Sequence, residues 1–528
     1  MSDLLVANAF IVDGTGAAGR PGSVLVRGDR VQAVIPPGGS DPAVERRVDA
    51  SGRVLAPGFV DVHQHSDMTP FVEPGMDSML RQGVTSVVVG NCGGSAFPFE
   101  GAREHAAMAG TDPDALGLTP WTSFAAYLEA IDDARPALNV AALIGHGTLR
   151  ETVIGRSDRA PMPDELEAMR GLLSGAIDEG AVGMSSGLIY VPGLHATTDE
   201  LVAVADGLGG RGLYASHVRG EGTTVFDAVS ECIEVGARAG VPSHVSHLKV
   251  EGRRMWGRAA DLLDLLDRAR DGGADVTADQ YPYTAWETSL AATVPAWAPA
   301  EELSAILADA QARTRLREAI EHGEPGWESV GPDLGWERVV IGSHMPNPDL
   351  TGRTVAEVAD ERGLEPFELI ARLVIGDPYT GMVGHGMDED DVRTIVARVD
   401  VLVASDALAV APDGPLGAFG VHPRYYGTFP RVLGRYTRDE GLLRLEDAVR
   451  KMTSLPAERS GLAGRGRIEP GAFADLVVFD PSSVIDTATF EHPHAFAQGV
   501  DLVVVNGRVA WDGAPGDRAG RALRRGER

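Results

Sequence analysis

Along most of this chain short apolar, β-branched runs alternate with longer stretches whose apolar residues recur at helical spacing. That is the pattern of βαβ units around a parallel sheet. Between about residues 55 and 410 eight runs stand out: FVDVHQH (59–65), TSVVVGNC (85–92), NVAALIGHG (139–147), AVGMSSGL (181–188), LYASHV (213–218), PSHVSHL (242–248), DVTADQYPY (275–283) and VDVLVASDA (399–407). Each closes on polar or chemically capable residues, and a (β/α)8 barrel carries its active site on such carboxyl ends. The predicted class is α/β, a TIM barrel.

Two further features lie outside the eight runs. LLVANAFIVDGTG and GSVLVRGDRVQAVI at the front, with ADLVVFDP and DLVVVNGRVAW at the back, alternate and turn like antiparallel strands. Both chain ends are therefore expected in one small antiparallel β-domain, residues 1–56 and 466–528, with the barrel at 57–465. The stretch from about 284 to 395 is too long for an ordinary strand-to-helix connection and holds an insertion, with a lid-like part at about 284–340. The tail GDRAGRALRRGER reads as a solvated end.

Composition narrows the function. A chain of 528 residues exceeds one ordinary core, and 44% hydrophobic with 23% charged residues is the balance of a folded globular protein. Its 76 acidic and 47 basic residues give a net charge of −29, which repels nucleic acid and anionic membranes and points to a small-molecule partner. No run reaches the roughly 18 apolar residues of a membrane span, and Met1 to Asp13 lacks the basic start of a signal peptide, so the expected location is cytoplasmic. Oligomeric state is left open.

The candidate chemistry sits at the run ends. His63 and His65 are two apart in DVHQHSD, so on a strand both imidazoles face one way, a metal-ligand spacing. His217, His244 and His247 end later runs, and strand ends converge at a barrel mouth. Asp406 ends the eighth run, where a carboxylate can take a proton from an activated water, return it to a leaving amine, or touch the metal. The only lysines are Lys249 and Lys451, and neither ends the fourth run, where a lysine bridging two metals would be sought. Cys92 is the remaining residue able to supply a bridging anion, since a thiolate beside a metal is deprotonated outright. The other cysteine, Cys232, falls at helical spacing among apolar residues and reads as core. Lys249 is then free to hold a substrate carboxylate or polarise a carbonyl. Tyr281 and Tyr283 close the seventh run; one is expected to reach substrate and the other to pack.

The set PGFVDVHQHSD, VVVGNCGG, LIGHGTLR, GMSSGLIYVPG, ASHVRGEG, SHLK, DQYPYTA, SDALAVAPDGPL and HPRYYGTFPRVLGRY resembles the N-acyl-D-amino-acid deacylase, or D-aminoacylase, family of the amidohydrolase superfamily. The match runs in order over nearly the whole chain. It implies zinc-dependent hydrolysis of the amide of N-acyl-D-amino acids by a metal-activated water, with Asp406 as general base and acid. It further implies a tight zinc on Cys92, His217 and His247, a weaker second site on His63 and His65 with Cys92 shared, and Arg424 and Lys249 on the substrate carboxylate, assisted by a tyrosine of the YPY run. For His146 it implies only support of a strand end. Alternatives are a cyclic amidase resembling hydantoinases, which the missing bridging lysine disfavours, and a catalytically silent barrel in an assembly, which should have lost ligands.

Two positions depart from the family pattern. HQHSD replaces the usual HTHDD, so Gln64 and Ser66 change what lies behind the ligands. After YPYTA, Trp286 and Glu287 stand where small hydroxylated residues are usual, and Glu287 is expected to line the pocket and disfavour acidic side chains.

Overall fold

The computed structural model describes residues 3–40, 42–108, 111, 116–324, 327–417 and 422–527. At its centre eight short parallel strands follow one another in chain order: Phe59–Asp61, Val84–Val89, Asn139–Gly145, Gly183–Gly187, Leu213–His217, Ser243–Val245, Val276–Gln280 and Val401–Val403. They are the eight runs expected. A parallel bridge between Gln64 and Ala407 brings the first strand's end to the last and closes the barrel.

Alternation along the strands separates two apolar surfaces. Val60, Val62, Val88, Ala141, Leu143, Val182, Leu213, Ala215, Leu402 and Ala404 form one buried cluster. Their neighbours Val87, Val89, Val140, Ala142, Val401 and Val403 join the larger cluster that includes the helices. The helix Val225–Ala239 shows why these segments are helical: Val225, Ala228, Val229, Cys232 and Val235 form one buried stripe, and Gly240 ends it in the left-handed region at φ 66°. Cys232 is thus a core side chain.

The chain ends meet in a sheet ordered Arg508–Trp511, Val500–Val505, Leu476–Phe479, Val54–Pro57, Asp3–Ile11, Arg20–Arg27 and Arg30–Ile35, with Arg46–Asp49 also paired to Asp3–Ile11. Most neighbours are antiparallel, but Arg46–Asp49 and Val54–Pro57 run parallel to Asp3–Ile11. The tail differs from expectation. Ala522 and Leu523 are buried, Val140 donates its N–H to the Arg521 carbonyl, and Leu523 donates to Val140, so the tail docks on the barrel. Two apolar residues between the arginines give it a face to bury.

After the seventh strand comes the insertion. Trp286–Ser289, Val339–Ser343 and Gly381–Gly384 form a three-stranded antiparallel sheet with Gly381–Gly384 in the middle, flanked by helices that include Ala310–His322 and Pro366–Gly376. The unit therefore continues past residue 340, because its central strand is the last to be made. No helix among the described residues is long and apolar enough to cross a membrane.

Candidate metal centre and substrate cavity

The carboxyl ends of the barrel strands converge on a cavity of about 300 Å3, walled on its outer side by Trp286 to Ser289, Trp327 to Val330 and Met382 of the insertion. Seven non-glycine residues among those described have positive φ, and three of them are Cys92 (52°), His247 (37°) and Asp406 (51°). Such backbone costs about 1–3 kcal/mol per residue and persists only where surrounding packing enforces it. Each lies just past a strand end, where the chain turns its side chain back over the mouth. Around Cys92 the enforcing neighbour is visible: a Cβ on Gly93 would lie 2.5 Å from the backbone nitrogen of Gly187, so the VVVGNCGG turn needs glycine there.

Two overlapping sets of donor atoms lie within 4.8 Å of one another: His63, Cys92, His247 and Asp406, and His217, Glu221 and His247. Cys92 Sγ is 3.2 Å from His63 Nε2 and 3.6 Å from His247 Nε2. Burial alone would raise this thiol, but the His63 charge and the histidine hydrogen bonds hold it well below the usual cysteine range. His217 is buried with no hydrogen-bond partner on either ring nitrogen, 4.4 Å between ring centres from His247. An imidazole left so is incomplete without a ligand. The set of a thiolate, imidazoles and a carboxylate, with orphaned nitrogens among them, fits a metal of the zinc type.

Asp406 accepts from His65 Nε2 at 3.0 Å and Arg424 Nη1 at 2.8 Å and lies 3.3 Å from His63 Nε2. Burial would raise its carboxyl; Arg424 and His63 overcome that and keep it well below the usual range, hence ionised. The same pairing raises His65 to about 9 against its burial. Arg424 is 3% exposed, and its Nε has no partner.

The other expected residues divide. Lys249 lines the cavity, yet its Nζ donates to Glu221 and lies 2.8 Å from His247 Nδ1. Tyr281 lines the cavity with a buried, unpartnered hydroxyl, its ring 5.0 Å from the Arg424 guanidinium. Tyr283 turns the other way, its hydroxyl 3.4 Å from Asp486 and its ring under Arg431, so it supports the wall and does not meet the cavity. Glu287 lines the cavity; one carboxyl oxygen has no partner, and burial pushes the group up to about 7. Trp286 is 6% exposed and packs within the insertion, its indole against Gly384 and Gly386. His244 joins neither donor set: Asp279 holds its Nε2 at 2.8 Å and Thr277 its Nδ1 at 2.7 Å. His146 bonds Glu200 at 3.2 Å, and Glu200 also takes Arg150, a buried cluster beside the third strand's end.

Sequence reasoning missed two carboxylates. Asp279, buried in the seventh strand, lies 3.3 Å from His63 Nδ1 and accepts from His244 and from the His247 backbone N–H, so it orients three histidines at once. Glu221 lies 2.9 Å from His247 Nδ1 and pairs with Lys249. Both stand in segments already singled out, DVTADQYPY for its tyrosines and ASHVRGEG for His217, and the signal was a carboxylate in or just past a barrel strand. The two changed residues of the HQHSD motif complement each other. Gln64 donates through Nε2 to Asp61 and Ser405, Ser66 donates to Gln64 Oε1 at 2.6 Å, and Ser66 accepts from the Ala409 N–H. The network ties the first barrel strand to the eighth behind the histidines.

The amidohydrolase family pattern matches residues 46–510. The chain is 39% identical to D-aminoacylase from Alcaligenes xylosoxydans xylosoxydans over 99% of its own length and 98% of that protein, and 38% identical to N-acyl-D-glutamate deacylase from the same organism, over 99% and 96%. Among solved structures it resembles N-acyl-D-glutamate deacylase from Bordetella bronchiseptica, complexed with zinc and a phosphonate inhibitor that mimics the tetrahedral intermediate. That likeness has a TM-score of 0.82 at 36% identity and covers 99% of each chain.

Proposed function

This chain belongs to the amidohydrolase family, and on that premise we propose that it hydrolyses the amide bond of N-acyl-D-amino acids to a carboxylate and a free D-amino acid, with zinc as its metal. The observation that carries this reading is the pairing of Arg424 with Asp406 at 2.8 Å beside the thiolate and imidazole donors, which sets a carboxylate clamp against a proton carrier.

By the family resemblance, Cys92, His217 and His247 would hold the tighter ion, and His63 and His65, with Cys92 shared, a weaker second one; His247 belongs to both donor sets, Cys92 falls with His63 and Asp406 in one of them, and His65 falls in neither. When bound, zinc acts as a Lewis acid and lowers the pKa of water. The chain's own groups do the rest. Asp406, ionised, accepts the proton of the attacking water as the carbon–oxygen bond forms, and delivers it to the nitrogen as the carbon–nitrogen bond breaks. Arg424 receives the substrate carboxylate through its planar fork, where Nε is unpartnered. Tyr281 is placed to donate its hydroxyl to that carboxylate, and Lys249 adds positive charge from the same wall. Two unbridged cysteines suit a reducing, cytoplasmic setting.

The test is a panel of N-acetyl-D- and N-acetyl-L-amino acids and cyclic hydantoins, offered to zinc-loaded enzyme with released amine or opened ring as readout. Cleavage of the D series alone is expected. Equal cleavage of both enantiomers, or ring opening without deacylation, would replace the reading.

A further inference from the structure

We propose that the substrates are N-acyl-D-amino acids whose side chain is neutral or basic, that Glu251 and Glu287 favour the basic ones, and that the engagement of every cation on the cavity wall disfavours those bearing a second carboxylate. This rests on the deacylase reading above and specifies the substrate class of the same site.

Among the described residues lining the cavity, three carry a permanent positive charge: Arg219, Lys249 and Arg424. Each is engaged. Arg219 forms a two-pronged contact with Glu231 at 2.9 and 3.0 Å and donates to the carbonyls of Leu194 and Ala196. Lys249 is held by Glu221, and Arg424 by Asp406. Only Arg424 keeps an unpartnered donor, and the substrate's own α-carboxylate requires it. A side-chain carboxylate entering the same space would lose its hydration without gaining a cation to offset the loss.

The acidic side of the cavity is the reverse. Glu221 and Asp406 have cationic partners, whereas Glu251 and Glu287 have no ion pair among the described residues. Glu287 has one oxygen buried and unbonded. Burial pushes Glu251 up to about 8, with Glu221, Glu328 and Asp333 adding to it against Lys249. These are carboxyls in want of positive charge, and a guanidinium or ammonium on the substrate supplies it as their protons leave to solvent. The unpartnered hydroxyl of Tyr281, 1% exposed, independently marks this space as one that receives a polar ligand.

The experiment measures kcat/KM for N-acetyl-D-methionine, N-acetyl-D-arginine and N-acetyl-D-glutamate on the zinc-loaded wild type, Glu251→Gln and Glu287→Gln. Ratios are taken within each protein, so partial loss of active enzyme cancels. The wild type is expected to favour D-methionine and D-arginine over D-glutamate by about 100-fold or more, the scale of an unpaired buried charge. At least one variant should narrow the arginine-to-glutamate ratio by about tenfold, close to the removal of one charge at short range. Cleavage of D-glutamate within tenfold of D-methionine overturns the inference, as do unchanged ratios in both variants. Failure to cleave any of the three overturns the deacylase reading itself, and the inference with it.

Discussion

The two ends of the barrel are both polar and both buried, yet they are built on opposite principles. At the amino end, Asp475 pairs with Arg465 and accepts from the Asn506 N–H at 2.8 Å, Asn506 donates to Asn139 at 2.7 Å, and Arg465 donates to Asn506 at 3.0 Å. Within that cluster Asp475, Arg465, Asn506 and Asn139 leave no buried polar side-chain atom without a partner. At the carboxyl end, His217, Tyr281, Glu287 and Arg424 each keep a buried polar atom with no partner, and three residues hold positive φ. A satisfied network stabilises one arrangement, while an unsatisfied one is held in readiness for a ligand. Polarity and burial alone do not distinguish structure from function; completeness does.

That contrast can be broken experimentally. The largest effect is expected from Cys92→Ser, which removes the thiolate common to both proposed metal sites. Firmly bound zinc, read by elemental analysis after dialysis against a weak chelator, should be lost together with activity, because a hydroxyl does not ionise as a thiol does. Retained zinc with full turnover would show the cysteine to be inert.

Next comes Asp406→Asn, which keeps the shape and tolerates positive φ but carries no proton. Turnover is expected to fall by about two to four orders of magnitude with metal content unchanged. Near-normal turnover would place the proton carrier elsewhere.

At the satisfied end the outcome inverts. Asp475→Ala leaves Arg465 buried without its carboxylate and should lower unfolding stability by about 3–5 kcal/mol, while kcat of the folded fraction stays at the wild-type value. Denaturant unfolding and active-site titration separate the two. A selective loss of kcat would mean the ends are coupled.

The smallest effect concerns a buried charge of neither kind. Lys451 donates only to the Val396 carbonyl, and burial lowers its ammonium to about 7 from 10.5. Between those values the unfolded chain binds a proton that the folded chain has released, so stability rises with pH, by about 1.4 kcal/mol per unit. Below pH 7 both states are charged and the penalty is complete. Wild type should therefore gain on Lys451→Met by about 1 kcal/mol between pH 7 and 8, where the folded-state group is still releasing its proton. A constant difference across that interval would show Lys451 to be charged throughout.

The eight strands and the β-domain at the chain ends were legible in the sequence because each follows from local periodicity. Most of the candidate site residues were legible because they fall at strand ends; Arg424, at the start of the helix Arg424–Arg431, came only from the family resemblance. Less could be seen where a residue's role depends on what faces it. His244 and His247 are three apart in one run, and no pattern says that one rests on Asp279 while the other faces Cys92. Tyr281 and Tyr283 part company because the strand stops at Gln280.

By itself, then, the sequence determined the barrel, the order of its strands and the side chains offered at its mouth, since alternation and helical spacing are properties of neighbouring residues. Only the tertiary structure decided which of those side chains meet. Asp279 reaches His63 across 216 positions, Gln64 and Ser405 meet across 341, and Arg424 turns onto Asp406. Pairings of that kind depend on how the closed barrel brings distant strand ends to one mouth, and no local pattern encodes that distance.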